Sequence, residues 1–144
     1  MIKNIDHVTL VVTRLEEAIA FFTLLGFRQE KALVISGKQF SDYMHVSNIE
    51  ADHVTLVLEK AQPRFEIQLL KYHHPEALQD EKISNLNKIG YNHFCFAVSG
   101  LDEEVERLKK EGVVFLNDVM EFNDRRLVFF SGPDGIVLEL SEYE

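Results

Sequence analysis

The chain has 144 residues, 46% of them apolar and eleven of them Phe, which suffices for one compact core without cross-links. Its 15 Lys and Arg against 24 Asp and Glu give a net charge of −9, which argues against nucleic acid or an anionic membrane as partner. One Cys excludes an internal disulfide and suits a reducing compartment. With no basic-then-apolar leader and no apolar run of membrane-spanning length, a cytoplasmic protein is expected.

The first strand signal is the alternation Ile5-Asp6-His7-Val8-Thr9-Leu10-Val11-Val12. Thr13-Arg14-Leu15-Glu16 fits a helix capping box, Leu15, Ile19, Phe22 and Leu25 recur at helical spacing, and Gly26 marks a helix stop. Strands are predicted at about 28–35, 52–60 and 64–72. Residues 73–90 form a polar connector that is expected to be partly helical. The pattern then repeats. Tyr91-Asn92-His93-Phe94-Cys95-Phe96-Ala97-Val98 matches the first strand at an offset of 86 (93 − 7). The offset holds through Leu15/Leu101, Ile19/Val105, Phe22/Leu108 and Gly26/Gly112. Ser99-Gly100-Leu101-Asp102 gives a second capping box. Three further strands are predicted at about 113–116, 125–131 and 136–142, the last two joined by the turn Ser131-Gly132-Pro133-Asp134-Gly135. The result is βαβββ twice, an α+β chain built from an internal repeat. The modules are expected at about 1–72 and 91–144.

The copies differ in length: His7 to Gln68 is 61 positions and His93 to Glu139 is 46. The extra 15 fall mostly in 36–50, where Phe40, Tyr43 and Met44 could line one face of a short helix, either a surface cover or a lid over a pocket.

Strand alternation then sorts the polar residues. Val8, Leu10 and Val12, Phe65, Ile67 and Leu69, Phe94, Phe96 and Val98, and Ile136, Leu138 and Leu140 form large apolar faces suited to packing under the helices. His7, Gln68, His93 and Glu139 fall on the opposite faces, beside the small residues Thr9, Cys95 and Ala97. Singly, each has an ordinary reading as a satisfied or solvated strand residue. Together, two imidazoles, an amide oxygen and a carboxylate at matching places in both copies form a shell for one divalent metal with open positions. Glu66 shares the face of Gln68 and reads first as an exposed strand residue, then as a second base or substitute ligand. Cys95 reads as a space filler. Arg126 reads as a solvated surface residue, with anionic-substrate binding as its other use. His45, His53, His73 and His74 have no repeat partner and read as solvent or loop residues.

These segments resemble the vicinal oxygen chelate superfamily, which includes glyoxalase I, methylmalonyl-CoA epimerase, fosfomycin- and bleomycin-resistance proteins and extradiol dioxygenases. The resemblance runs through Ile5-Asp6-His7-Val8, Leu25-Gly26-Phe27, Ile67-Gln68-Leu69-Leu70, Asn92-His93-Phe94 and Gly132-Pro133-Asp134-Gly135-Ile136-Val137-Leu138-Glu139, and covers essentially the whole chain as a single domain, 1–144. It implies two βαβββ modules whose curved mixed sheets enclose a metal-binding cleft, commonly in a homodimer. It also implies a divalent cofactor (Zn, Ni, Co, Mn or Fe), one ion per chain, on His7, Gln68, His93 and Glu139. That ligand set is most similar to the epimerase's, but Thr55 aligns where the epimerase carries a catalytic glutamate. Glu139 is therefore the expected base, with Glu66 in reserve. No glutathione-binding set is recognisable. The expected activity is a metal-dependent lyase or isomerase acting on a small carbonyl or thioester substrate through an enediolate-like intermediate. The alternatives are a non-haem iron dioxygenase using His7, His93 and Glu139, and a non-catalytic drug-binding protein. Metal-free resistance proteins usually lack the complete ligand set, which favours an enzyme.

Overall fold

A computed structural model covers residues 1–144, and the chain divides into two units, Met1–Gln79 and Asp80–Glu144. In the first unit the elements run β1 (His7–Val11), α1 (Leu15–Leu24), β2 (Phe27–Ser36), α2 (Lys38–Met44), β3 (Glu50–Leu58) and β4 (Phe65–His74). In the second they run β5 (Phe94–Ala97), α3 (Leu101–Lys110), β6 (Met120–Phe122), β7 (Arg125–Ser131), a 3-10 turn at Pro133–Gly135 and β8 (Val137–Tyr143). The sheet orders are β1-β4-β3-β2 and β5-β8-β7-β6, so the two copies share one topology. In each, the opening strand lies parallel to the last strand and the remaining pairs are antiparallel. The fold is α+β: two tandem βαβββ modules, each with a curved, open four-stranded mixed sheet.

The alternation determines what is buried. In the first unit Val54, Leu56, Ile67 and Leu69 point to one face, where α1 adds Ala18 and Phe22. Phe22 packs edge-on to Phe27, with ring centroids 5.9 Å apart. In the second unit Leu101, Val105 and Leu108 of α3 are buried, as are Val128, Phe130, Leu138 and Leu140 of the sheet. The first unit has a further buried cluster on the other face of its sheet: Ile35, Ile49, Ala51 and Leu70, against which Met44 of α2 packs. The additional residues of this copy thus give its second sheet face an apolar cover.

Three local expectations are corrected. The N-cap positions fall on Arg14 and Gly100, one residue after the predicted Thr13 and Ser99, and neither Arg14 nor Gly100 makes a side-chain cap bond. Both helices nevertheless stop at the expected glycines, Gly26 (φ +100°) and Gly112 (φ +90°), whose left-handed backbone other residues rarely adopt. Residues 113–116 are not a strand. Phe115 makes a single bridge to Phe130, and the side chain of Asn117 accepts the N–H of Phe129 in place of a backbone oxygen. The edge strand forms instead at Met120–Phe122, paired with β7. Residues 75–93 contain turns and no helix.

Candidate metal and substrate site

Register shows which side chains share a face. In the first sheet His7 stands beside Glu66, and Thr9 and Thr55 flank Gln68 on either side. His53 pairs with Leu70 on one side and Leu33 on the other. His7, His53, Thr55, Glu66 and Gln68 therefore occupy one face. His7, His53 and Gln68 line a cleft of about 350 Å³, whose apolar wall includes Leu33, Ile35, Phe40, Tyr43 and Met44. The helix predicted within 36–50 exists, and its three named side chains border this cleft.

His53 corrects the sequence reading. It is neither a loop nor a fully solvated residue but lies within β3, and its Nε2 stands 3.1 Å from Gln68 Oε1. Its Nδ1 is buried without a partner. The signal was available in strand parity: position 53 shares the face of position 55, already singled out by alignment. The repeat criterion hid it, because the second copy has no counterpart.

Gln68 is held from two sides. Its oxygen accepts from His53, and its Nε2 donates to Glu66 Oε1 at 3.3 Å. An amide oxygen has two lone pairs, so one remains available to a cation. Glu66 is not an exposed strand residue. It is partly buried, and Arg64 Nε donates to its Oε2 at 2.9 Å. Both of its oxygens are thus engaged.

In the second sheet Cys95 and Phe129 flank Glu139. Glu139 is only 8% exposed and lies on a cleft of about 550 Å³ with Met120, Phe122, Leu127 and Phe129. His93, just before β5, brings its Nε2 to 3.7 Å from Glu139 Oε1 and packs edge-on against the Phe129 ring. Each unit therefore carries one pair of the proposed ligands: His7 with Gln68, and His93 with Glu139. Neither unit gathers three His, Cys, Asp or Glu side chains by itself.

The two histidines are oriented alike. His7 Nδ1 lies 2.6 Å from Asp6 Oδ1, and His93 Nδ1 lies 2.7 Å from Asn92 Oδ1. An oxygen of this kind accepts, so the proton belongs on Nδ1, and in the neutral ring Nε2 keeps its lone pair. Metal-ligating imidazoles commonly donate their other N–H to an oxygen placed in this way. Donors bound at about 2.1 Å to one ion stand roughly 3.0–3.4 Å apart. His93 and Glu139, at 3.7 Å, are within a few tenths of an ångström of that spacing. Within the second unit, this imidazole and carboxylate have the chemistry of two ligands to a divalent ion.

Cys95 is exposed beside Glu139; partial desolvation, reinforced by the adjacent carboxylate, pushes its thiol up to about 12. Arg126 is tied to Asp102 (2.8 Å) and Glu142 (3.5 Å) and does not line the cleft. Its neighbour Arg125 does. Of the other histidines, His73 contacts Asp52, His74 contacts the backbone oxygen of Asn48, and His45 ends α2 in a left-handed conformation.

Comparisons with known proteins agree with the fold. A model of the Glyoxalase/Bleomycin resistance protein/Dioxygenase superfamily matches residues 4–140. Glyoxalase I of Saccharomyces cerevisiae is 37% identical over 67 residues, which are 44% of this chain and only 21% of that enzyme. The structure of a glyoxalase family protein from Bacillus cereus superimposes with a TM-score of 0.88 at 26% identity, covering 99% of this chain and 95% of the other. The fosfomycin resistance protein FosX of Listeria monocytogenes, in complex with Mn(II) and sulfate, shares the fold with a TM-score of 0.62 at 20% identity over 100% of this chain and 95% of that one. No helix is long and apolar enough to cross a membrane. The chain belongs to the Glyoxalase/Bleomycin resistance protein/Dioxygenase superfamily.

Proposed function

We propose that the chain is a divalent-metal-dependent lyase or isomerase of the glyoxalase or epimerase type, acting on a small carbonyl or thioester substrate. The observation that carries this reading is the matched pair of histidines. Both have Nδ1 tied to the side chain of the preceding residue, and one of them has a nearly buried carboxylate 3.7 Å from its free nitrogen. His7, Gln68, His93 and Glu139 would hold the ion, one per chain, and the working form would be a homodimer, as is common for the fold. A bound divalent cation supplies Lewis-acid polarisation of adjacent substrate oxygens.

The chain's own residues supply positioning and proton transfer. Glu139, at the cleft of the second unit, takes the proton from the carbon next to the substrate carbonyl. The C–H electron pair moves into the carbonyl, whose oxygen gains the negative charge. Delivery of a solvent proton to the opposite face of the same carbon gives an epimer; return of the proton to the former carbonyl carbon, as the hydroxyl proton on the first carbon passes to the former carbonyl oxygen, gives an isomer. The apolar side chains Leu127 and Phe129 exclude water from the carboxylate. Asp6 and Asn92 keep the imidazoles in one tautomer. Glu66, with both oxygens engaged, has the lesser role of holding Gln68.

The test is exchange of substrate C–H with deuterated water, followed by proton NMR over a panel of 2-hydroxyaldehydes, hemithioacetals and branched acyl thioesters. The metal-loaded protein should exchange at least one of them. Glu139→Gln, again with metal in excess, should abolish that exchange, and Glu66→Gln should be milder. Full exchange in metal-loaded Glu139→Gln would falsify the base assignment. Oxygen consumption by the iron-loaded protein, without C–H exchange, would favour a dioxygenase instead.

A further inference from the structure

The second-unit cleft contains one cation. Asp118, Arg125 and Glu139 are the charged residues lining it. In a chain of net charge −9, arginines find acids easily, and five of the six do: Arg14 with Glu17, Arg28 with Glu59, Arg64 with Glu30 and Glu66, Arg107 with Glu104, and Arg126 with Asp102 and Glu142. Arg125 is the exception. Its guanidinium stacks on the Tyr143 ring, 4.8 Å from the centroid, and no carboxylate lies within ion-pair distance. Stacking occupies the flat face of a guanidinium and leaves its in-plane N–H donors free and pre-oriented.

Its position relative to Glu139 sets the shape of a ligand. Phe129 pairs directly with Glu139, and Arg125 lies four residues earlier on the same strand and the same face. At about 3.3 Å per residue, the two backbone positions are about 13 Å apart. The surface between them is apolar, formed by Leu127 with Met120 and Phe122 of the edge strand. A carboxylate near Glu139 at one end, an apolar floor, and an unpaired planar cation at the other end form a graded cleft. Asp118 opposes a second negative charge, so a singly charged, planar anion fits better than a dianion.

We propose that Arg125 anchors a carboxylate, and that the substrate carries this group at the end of an apolar segment several carbons from its reacting carbonyl. The placement of the carbonyl rests on the metal reading above; the anchor does not.

The test is calorimetric titration of the full-length protein with octanoate and with octanamide, which match in shape and differ in charge. Octanoate should bind wild type about tenfold more tightly, in line with a charge-assisted bond at a partly solvated site. Arg125→Gln should reduce the ratio to near one, Arg125→Lys should keep part of it, and Arg126→Gln should leave it unchanged. Equal binding of the two probes to wild type, or a preference that persists in Arg125→Gln, overturns the anchor. A change of oligomeric state in folded Arg125→Gln with an unchanged ratio also overturns it. A second pair of probes, an eight-carbon hydroxamate ending in carboxylate or in amide, separates the two readings. Metal-dependent affinity without carboxylate preference keeps the metal and overturns the anchor. Carboxylate preference without any effect of metal does the reverse.

Discussion

His93 Nε2 stands 3.7 Å from Glu139 Oε1, and the His93 ring is fixed on its other side by Asn92 Oδ1 at 2.7 Å. The histidine comes from the residue preceding β5 and the glutamate from the middle of β8. Their approach depends on the parallel pairing of the first and last strands of the module. The same pairing in the first unit brings β1, with His7, beside β4, with Gln68.

Removal of the groups behind the histidines should weaken metal binding without removing a ligand. Asp6→Ala and Asn92→Ala should each reduce divalent-ion affinity by about 10–100-fold, the usual effect of losing the oxygen that orients a ligand imidazole. Competition titration against a chromophoric chelator measures this. Wild-type affinity in both variants would show that the tautomer is not set there.

Much of this was legible in the sequence because it rested on periods. A period of two placed His7, Gln68 and Glu139 on the faces the register shows, and a repeat of 86 gave two modules of one topology. What was missed depended on interactions that no period encodes. His53 lacks a counterpart in the second copy, so the repeat gave it no weight, although it contacts Gln68. The edge strand of the second unit lies at Met120–Phe122 rather than 113–116, and between the two stretches the side chain of Asn117 takes the backbone donor of Phe129. Arg125 and Arg126 are adjacent and identical in type; only the phase of β7 determines that Arg125 reaches the cleft and Arg126 the acids Asp102 and Glu142.

Helix α2 should act on substrate rather than on metal. Phe40→Ala and Tyr43→Ala remove cleft-lining side chains that are themselves exposed, so folding should be little affected. KM should rise severalfold for any substrate found, with metal content unchanged. Unaltered steady-state kinetics in both variants would assign the helix a purely covering role.

Tyr91 provides a pH signature of the second unit. Its hydroxyl donates to the backbone oxygen of Val137 at 2.8 Å, and burial pushes its ionisation up to about 12. A raised folded value favours the neutral phenol in the native state. The resulting stability is complete below pH 10, the ordinary tyrosine value, and is lost as pH rises through about 12. Spectrophotometric titration should show one of the four tyrosines ionising near pH 12, a step missing from Tyr91→Phe. Its persistence in that variant would reject the assignment.

The cores should respond as packed interiors. Phe22 and Phe130 are fully buried, one in each unit. Truncation of either to Ala should cost about 3–5 kcal/mol in denaturant unfolding, the usual range for a buried phenylalanine. A cost below about 1 kcal/mol would mean that the site is not tightly packed.

We propose above that His7, Gln68, His93 and Glu139 hold one divalent ion. The most direct measurement is the metal content of the purified protein, determined by inductively coupled plasma mass spectrometry after divalent loading and desalting. It should be run beside His7→Ala, Gln68→Ala, His93→Ala and Glu139→Ala, each checked for folding by circular dichroism. Close to one ion per wild-type chain is expected, with a marked loss in all four folded variants and a metal-dependent rise in unfolding temperature confined to wild type. A wild-type chain that retains no ion, or variants of one unit that retain it fully, would contradict the claim.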